Sequence, residues 1–198
     1  SNMGCSDVMT RPQYITVLGP VTHFTSTATQ GCSPFTVNFT DSSINAIDWA
    51  WNFGDGYSAF TTDASHTFND TGTFTVTLVT HDTAGCSSYY ELPQKVEIHP
   101  TPVASFTLGT TTSCMNTPPL FTNTSQFADS VLWYFGDGNT STDFNPNYAY
   151  TQPGTYYPSL VVSTQFGCRD SIHSSVPITI LQTPQVTAAS NVSSGCSP

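Results

Sequence analysis

Positive charge is nearly missing from this sequence. Three of its 198 residues are Lys or Arg, against 13 Asp or Glu, for a formal net charge of −10. So few cations cannot neutralise a row of phosphates, and no basic patch occurs, which excludes nucleic acid as a partner. Charge of either sign is scarce at 8% of residues, where about 25% is usual in a soluble domain. No apolar run approaches ~18 residues, so no helical membrane insertion is expected. Helical periodicity is missing too, since no apolar pattern at that spacing is sustained. The sequence contains no Gly-x-Ser-x-Gly elbow, no phosphate-cradling glycine loop and no His-Glu-x-x-His. The five histidines, His23, His66, His81, His99 and His173, share no common spacing and read as surface or loop residues. The segment is not expected to be an enzyme.

Thr and Ser fill the gap left by charge, at 33 and 24 residues. Aromatics make up 13%, which is incompatible with disorder and implies a packed fold. The six cysteines are Cys5, Cys32, Cys86, Cys114, Cys168 and Cys196. None forms a C-x-x-C pair and no His stands at ligand spacing, so zinc is not expected. An even number in a Lys-poor, Thr-rich chain reads as disulfides made outside the cytosol. Residues 1–20 lack a basic start and a continuous apolar run, so they do not read as a secretory leader. The chain reads instead as an internal piece of a longer extracellular or cell-surface protein, with Ser1-Asn2 a cloning remnant.

The sequence repeats with a period of 82 residues, the spacing of Cys32 to Cys114, of Cys114 to Cys196 and of Cys86 to Cys168. Trp51-Asn52-Phe53-Gly54-Asp55-Gly56 returns as Trp133-Tyr134-Phe135-Gly136-Asp137-Gly138, and Gly72-Thr73-Phe74 returns as Gly154-Thr155-Tyr156. Laid over each other without a gap, residues 20–101 and 102–183 share 23 identities. Self-similarity at a fixed period marks a repeat array. The expected organisation is a preceding repeat's tail at 1–19, whole repeats at 20–101 and 102–183, and a following repeat's start at 184–198.

Each repeat reads as strands. Phe74, Val76 and Leu78 alternate with Thr73, Thr75 and Thr77, the period of a half-buried strand. Trp49, Trp51 and Phe53 share one face, as do Val131, Trp133 and Phe135; Val37 and Phe39 form another. Short strands separated by Gly, Pro, Asn and Asp over about 80 residues argue for an all-β sandwich.

Trp-x-Phe-Gly-Asp-Gly, a later aromatic (Phe68, Tyr150) and Gly-Thr-aromatic leading into a strand resemble the PKD domain. That family is a small immunoglobulin-like sandwich of extracellular proteins. The paired cysteines resemble tandem PKD repeats of bacterial surface and secreted proteins. The resemblance implies two immunoglobulin-like sandwiches arranged end to end, acting as spacers or adhesive modules. It also raises two departures. Pro158 replaces Val76 in a strand expected to be central, where the missing N–H implies a bulge or local unpairing. His66 becomes Tyr148, so no His chemistry is shared between the repeats.

The motif has a structural reading. Trp51 and Phe53, like Trp133 and Phe135, fill the core from one strand. Gly54 and Gly56, with Gly136 and Gly138, permit a tight turn at positive φ, and Asp55 and Asp137 bond the turn's backbone amides. Calcium ligation by these aspartates is the lesser alternative, because no second carboxylate recurs near both; no cofactor is expected.

On the surface, Tyr57, Tyr89, Tyr90 and Tyr157, with Phe60 and Phe144, are candidates for stacking on sugars, although ordinary interdomain or edge packing is the favoured reading of them. Thr83, Ser130 and Ser171 each follow an Asp in triplets that resemble a bacterial O-glycosylation pattern. Asn38, Asn69, Asn123, Asn139 and Asn191 head Asn-x-Ser/Thr triplets, which so Thr-rich a chain produces by chance.

In an immunoglobulin-like topology Cys32 and Cys86 sit at opposite ends of one sandwich. A strand of about eight residues is roughly 26 Å long, whereas a disulfide needs Cα atoms within about 7 Å. The first expectation is therefore a Cys32–Cys168 staple between stacked repeats. Intradomain Cys32–Cys86 and Cys114–Cys168 bridges are the alternative, and the remaining cysteines would bond neighbouring repeats. The function this favours is a stiff spacer or adhesive stalk in a bacterial surface adhesin or large secreted protein. The rival is an accessory module that binds a polysaccharide or a surface protein.

Overall fold

The computed structural model describes residues 19–184. They hold strands and no helix, in two compact units that divide between His99 and Pro100. The repeat tail expected at the N-terminus and the repeat start expected at the C-terminus lie, but for Gly19 and Pro184, outside the described residues, as do Cys5, Asn191 and Cys196.

The first unit runs β1 (Phe24–Ser26), β2 (Gln30–Cys32), β3 (Phe35–Asp41), β4 (Asp48–Asn52), β5 (Ser58–Ala59), β6 (Ala64–Phe68), β7 (Gly72–Phe74), β8 (Thr77–His81), β9 (Ser87–Glu91) and β10 (Val96–His99). One layer is the sheet β5-β4-β8-β9; the other is built from β1-β3-β6 and β2-β10-β7. Pairing is antiparallel except between β2 and β10. The alternation read from sequence sets the core: Val37 and Phe39 from β3 are buried together with Trp51 and Leu78, which lie opposite each other in the β4–β8 register. Phe24 meets the Trp51 ring edge-on at 4.8 Å. Trp49 only reaches the rim, where its indole Nε1–H donates to the Asp41 carboxylate at 2.9 Å.

The second unit runs β11 (Phe106–Leu108), β12 (Thr112–Cys114), β13 (Phe121–Asn123), β14 (Ser130–Tyr134), β15 (Thr140–Ser141), β16 (Gly154–Tyr156), β17 (Ser159–Ser163), β18 (Arg169–His173) and β19 (Ile178–Leu181). Its sheets β15-β14-β17-β18 and β12-β19-β16 repeat those of the first unit, but β11-β13 has lost a strand. The loss follows from composition. Pro118, Pro119 and Pro146 stand where the first unit has Thr36, Val37 and Ala64, and proline has no N–H to give a ladder. Where β3 pairs with β6 over five positions, a single bridge between Leu120 and Asn147 remains.

The run 73–78, read as one strand, is divided between β7 and β8, which lie in different sheets. The chain changes sheet at Thr75-Val76 in the first unit and at Tyr157-Pro158 in the second. The fold therefore makes this break, and Pro158 occupies a position that is interrupted in its absence too. Both positions serve through their carbonyls: Val76 accepts from Leu92 N–H at 2.9 Å and Pro158 from Ser174 N–H at 2.8 Å.

Candidate functional site

The Gly-Asp-Gly turn follows β4 in the first unit and β14 in the second. Gly54 has φ +83°, and a Cβ there would lie 2.6 Å from the Thr75 carbonyl oxygen. The sheet-changing segment presses on the turn and leaves no room for a side chain. Gly136 has φ +87°, and its Cβ position is 3.0 Å from the Tyr157 nitrogen.

One oxygen of each aspartate closes the turn: Asp55 accepts from Tyr57 N–H at 3.2 Å and Asp137 from Asn139 N–H at 3.0 Å. The other oxygen crosses to a neighbouring side chain. In the first unit Asp55 Oδ2 is 2.6 Å from His66 Nε2, with the two side chains 11% and 12% exposed. The imidazole lies flat on Phe53, ring centroids 4.2 Å apart and planes 4° apart. His66 is thus no surface or loop histidine; it is fixed in β6 by one ring and one carboxylate. In the second unit Tyr148 takes its place, its hydroxyl donating to Asp137 and its ring stacked on Phe135 at 3.7 Å. The Asn139 amide donates to both partners, at 3.2 Å to Asp137 and 2.8 Å to Tyr148. A residue that differs between the repeats therefore performs the same clasp, a likeness hidden because imidazole and phenol read as unrelated letters.

The second clasp is electrostatically distinct. Burial works to raise the Asp137 pKa, but hydrogen bonds from Tyr148 and Asn139 outweigh it and hold the carboxyl below its ordinary 3.8. Burial and the bond to Asp137 push the Tyr148 phenol up to about 12. Burial likewise raises Tyr150, whose hydroxyl donates to the Phe135 carbonyl at 2.9 Å. The signs fix a stability profile. The Asp137 contribution is present above the ordinary carboxylate pKa and is lost as pH falls through its lowered value. The Tyr148 contribution is present below the ordinary 10.0 and is lost as pH rises through about 12. Tyr148→Phe is expected to cost roughly 1 kcal/mol near neutrality and to flatten both limbs. Urea midpoints across the pH range read the change.

The clasp offers no open coordination set, and among the described residues no group of three or more His, Cys, Asp or Glu stands close enough to hold a metal ion. The arrangement fastens a turn to the adjacent strand; it sets up no nucleophile and base.

The surface candidates separate. Tyr57, Tyr89 and Tyr157 are 66%, 63% and 57% exposed. Tyr90, adjacent to Tyr89 on β9, points the other way, where it is half-buried and packs edge-on against the core ring of Phe24 at 5.4 Å. Phe60 and Phe144 are exposed. Among the described residues no exposed ring recurs at the repeat spacing, since Tyr57, Tyr89 and Tyr157 correspond to Asn139, Ser171 and Thr75. Sequence reasoning missed Tyr134, whose outward position follows from alternation with Trp133 and Phe135. With Tyr157, Val161 and His173 it lines an open groove of about 390 Å³ on the outer face of the second unit.

Thr83, Ser130 and Ser171 are exposed, and the aspartate before each is engaged with backbone. Asp82 accepts from Cys86 N–H at 2.8 Å, Asp129 from Gln165 N–H at 2.8 Å and Asp170 from Ala104 N–H at 2.8 Å. Asn38, Asn69 and Asn139 are exposed and Asn123 is half-buried.

The cysteines of each unit lie at its opposite ends. Cys32 closes β2 beside His99, the unit's last residue. Cys86 sits in the β8–β9 turn, where its carbonyl accepts from Asp82 N–H, and its Cβ is 3.9 Å from the Cβ position of Gly19. Cys168 and Cys114 repeat this in the second unit, in the β17–β18 turn and beside Leu181. Cys32 and Cys168 are disulfide-bonded, whereas Cys86 and Cys114 are free thiols. The intradomain alternatives Cys32–Cys86 and Cys114–Cys168 are therefore not formed, because a unit's length separates each pair.

Two immunoglobulin-like sandwiches in tandem, each carrying the Trp-x-Phe-Gly-Asp-Gly turn, define a repeat protein of accessory-domain type. Residues 19–97 and 99–180 match the PKD domain family, and the chain belongs to that family. A stretch of 56 residues, 28% of the chain, is 43% identical to collagenase ColA of Bacillus cereus and spans 6% of that protein's length. The PKD1 domain of the Vibrio cholerae metalloprotease PrtV is 33% identical, with 40% of this chain and 96% of that domain covered and a TM-score of 0.34. The PKD1 domain of Vibrio anguillarum Epp is 27% identical, with 41% and 96% covered and a TM-score of 0.35. The match is to a non-catalytic accessory module, and no catalytic family is indicated.

Proposed function

We propose that this chain is a non-catalytic extracellular spacer, a stiff segment of a bacterial surface adhesin or large secreted protein, with its two repeats stapled by a Cys32–Cys168 disulfide. The oxidation pattern carries the reading. Cys32 lies at the end of the first unit that leads into the joint. Cys168 lies in a turn whose residues Thr164 and Phe166 share a groove with Pro100, the first residue after the joint. Within each unit taken by itself, the oxidised cysteine lies at the end that carries the chain's link and the thiol at the other end. Pro100-Thr101-Pro102 adds a link with little hinge freedom. Oxidised cysteines fit an extracellular location, and bacterial relatives that include a collagenase and a metalloprotease support a module carried beside other domains. Peptide mapping of the non-reduced chain is expected to recover Cys32 joined to Cys168; recovery of either joined to Cys5 or Cys196 would overturn the staple.

The second reading is a carbohydrate-binding module, favoured by the groove under Tyr134 and Tyr157. The groove is confined to one unit, and the exposed rings do not recur, which supports the spacer. Retardation in affinity gels by one polysaccharide, abolished by Tyr157→Ala, is the result that would reverse the order.

A further inference from the structure

We infer that the leading end of the first unit is a docking face for the trailing end of another copy of this repeat, sealed by a disulfide from Cys86. By the same rule Cys114 seals the trailing end of the second unit to the next copy. This rests on the stapled reading above. Two observations beyond the thiols carry it. The repeat counterparts of Cys86 and Cys114, which are Cys168 and Cys32, are themselves disulfide-bonded. Second, Val21, Ile44 and Ile47 are 58%, 61% and 58% exposed at the end that holds Cys86. Val21 and Ile44 bridge each other, and Ile47 N–H donates to the carbonyl of His81, just before the Cys86 turn. Three exposed aliphatic side chains at the end that carries the thiol offer apolar surface beside a covalent lock. The matching end, at Cys114, presents the exposed Leu181 beside it.

The rule is directional: a repeat's first cysteine takes the second cysteine of the repeat that follows, never its own kind. Each seal forms as the two thiols lose two protons and pass two electrons to a disulfide-class oxidant, which leaves as its reduced thiols.

A second copy of the chain is the partner to use as probe. In a background with Cys5→Ser and Cys196→Ser, the chain is oxidised with glutathione disulfide at about 1 mM, near the effective concentration a short linker provides. A ladder of linear oligomers is expected on non-reducing gels, with a peptide joining Cys114 to Cys86. Cys86→Ala or Cys114→Ala alone should abolish the ladder, and Ile44→Asp with Ile47→Asp should slow its growth. Absence of a ladder, or dimers that survive Cys86→Ala through Cys114–Cys114 bonds, overturns the inference. The same digest reports Cys32–Cys168 separately, so loss of the staple and loss of the directional seal are told apart.

Discussion

Trp133→Ala is expected to unfold the second unit while the first stays folded. The Trp133 side chain is fully buried, edge-on to Phe106 at 5.1 Å and to Phe121 at 5.6 Å. Its indole Nε1–H donates to the Asp143 carbonyl at 3.0 Å. Truncation costs about 3–5 kcal/mol in packing, and the abandoned carbonyl adds about 1–3 kcal/mol. Domains of this kind hold a total of only about 5–15 kcal/mol, and this unit has already lost a strand to its prolines. The first unit keeps Trp49 and Trp51, so tryptophan fluorescence during urea unfolding should report a folded first unit in the variant. Trp133→Phe should recover part of the loss, because it restores the ring and not the N–H. A variant whose second unit retains its near-ultraviolet circular dichroism would show that the core does not depend on this ring.

Gly54→Ala is the second large effect, expected to cost about 3 kcal/mol, against about 1 kcal/mol for Gly56→Ala. Both glycines have positive φ, +83° and +93°, which penalises any L side chain by about 1–2 kcal/mol. Only at Gly54 would the new methyl meet backbone, at the Thr75 carbonyl; nothing lies within 4 Å of the Gly56 position. The difference between the two variants isolates the pressure of the sheet-changing segment on the turn. Equal urea midpoints would mean that φ alone explains the motif's first glycine.

Much of this fold was legible because its core is written in period two. Val37, Phe39, Trp51 and Phe53 pointed to a sandwich, and the motif's glycines to a turn. The change of sheet at Thr75-Val76 was not legible, since alternation continues across it: Val76 and Leu78 are both buried although only Leu78 lies within β8. Pro158 looked disruptive for the same reason. The turn-capping role of Asp55 and Asp137 followed from their position, but the second oxygen's partner is eleven residues on, beyond any local pattern. Tyr89 and Tyr90 looked equivalent as neighbours, and the pleat of β9 set them on opposite faces. The cysteines were legible in their spacing, and the topology that the resemblance implies already singled out Cys32 and Cys168, the two that are disulfide-bonded, from Cys86 and Cys114, which are not.

The central claim is stiffness at the joint, and backbone-amide NMR relaxation before and after reduction tests it most directly. With Cys32 and Cys168 joined, both units should share one rotational correlation time; reduction should split this into two shorter ones. Independent tumbling of the two units in the oxidised chain would contradict the account.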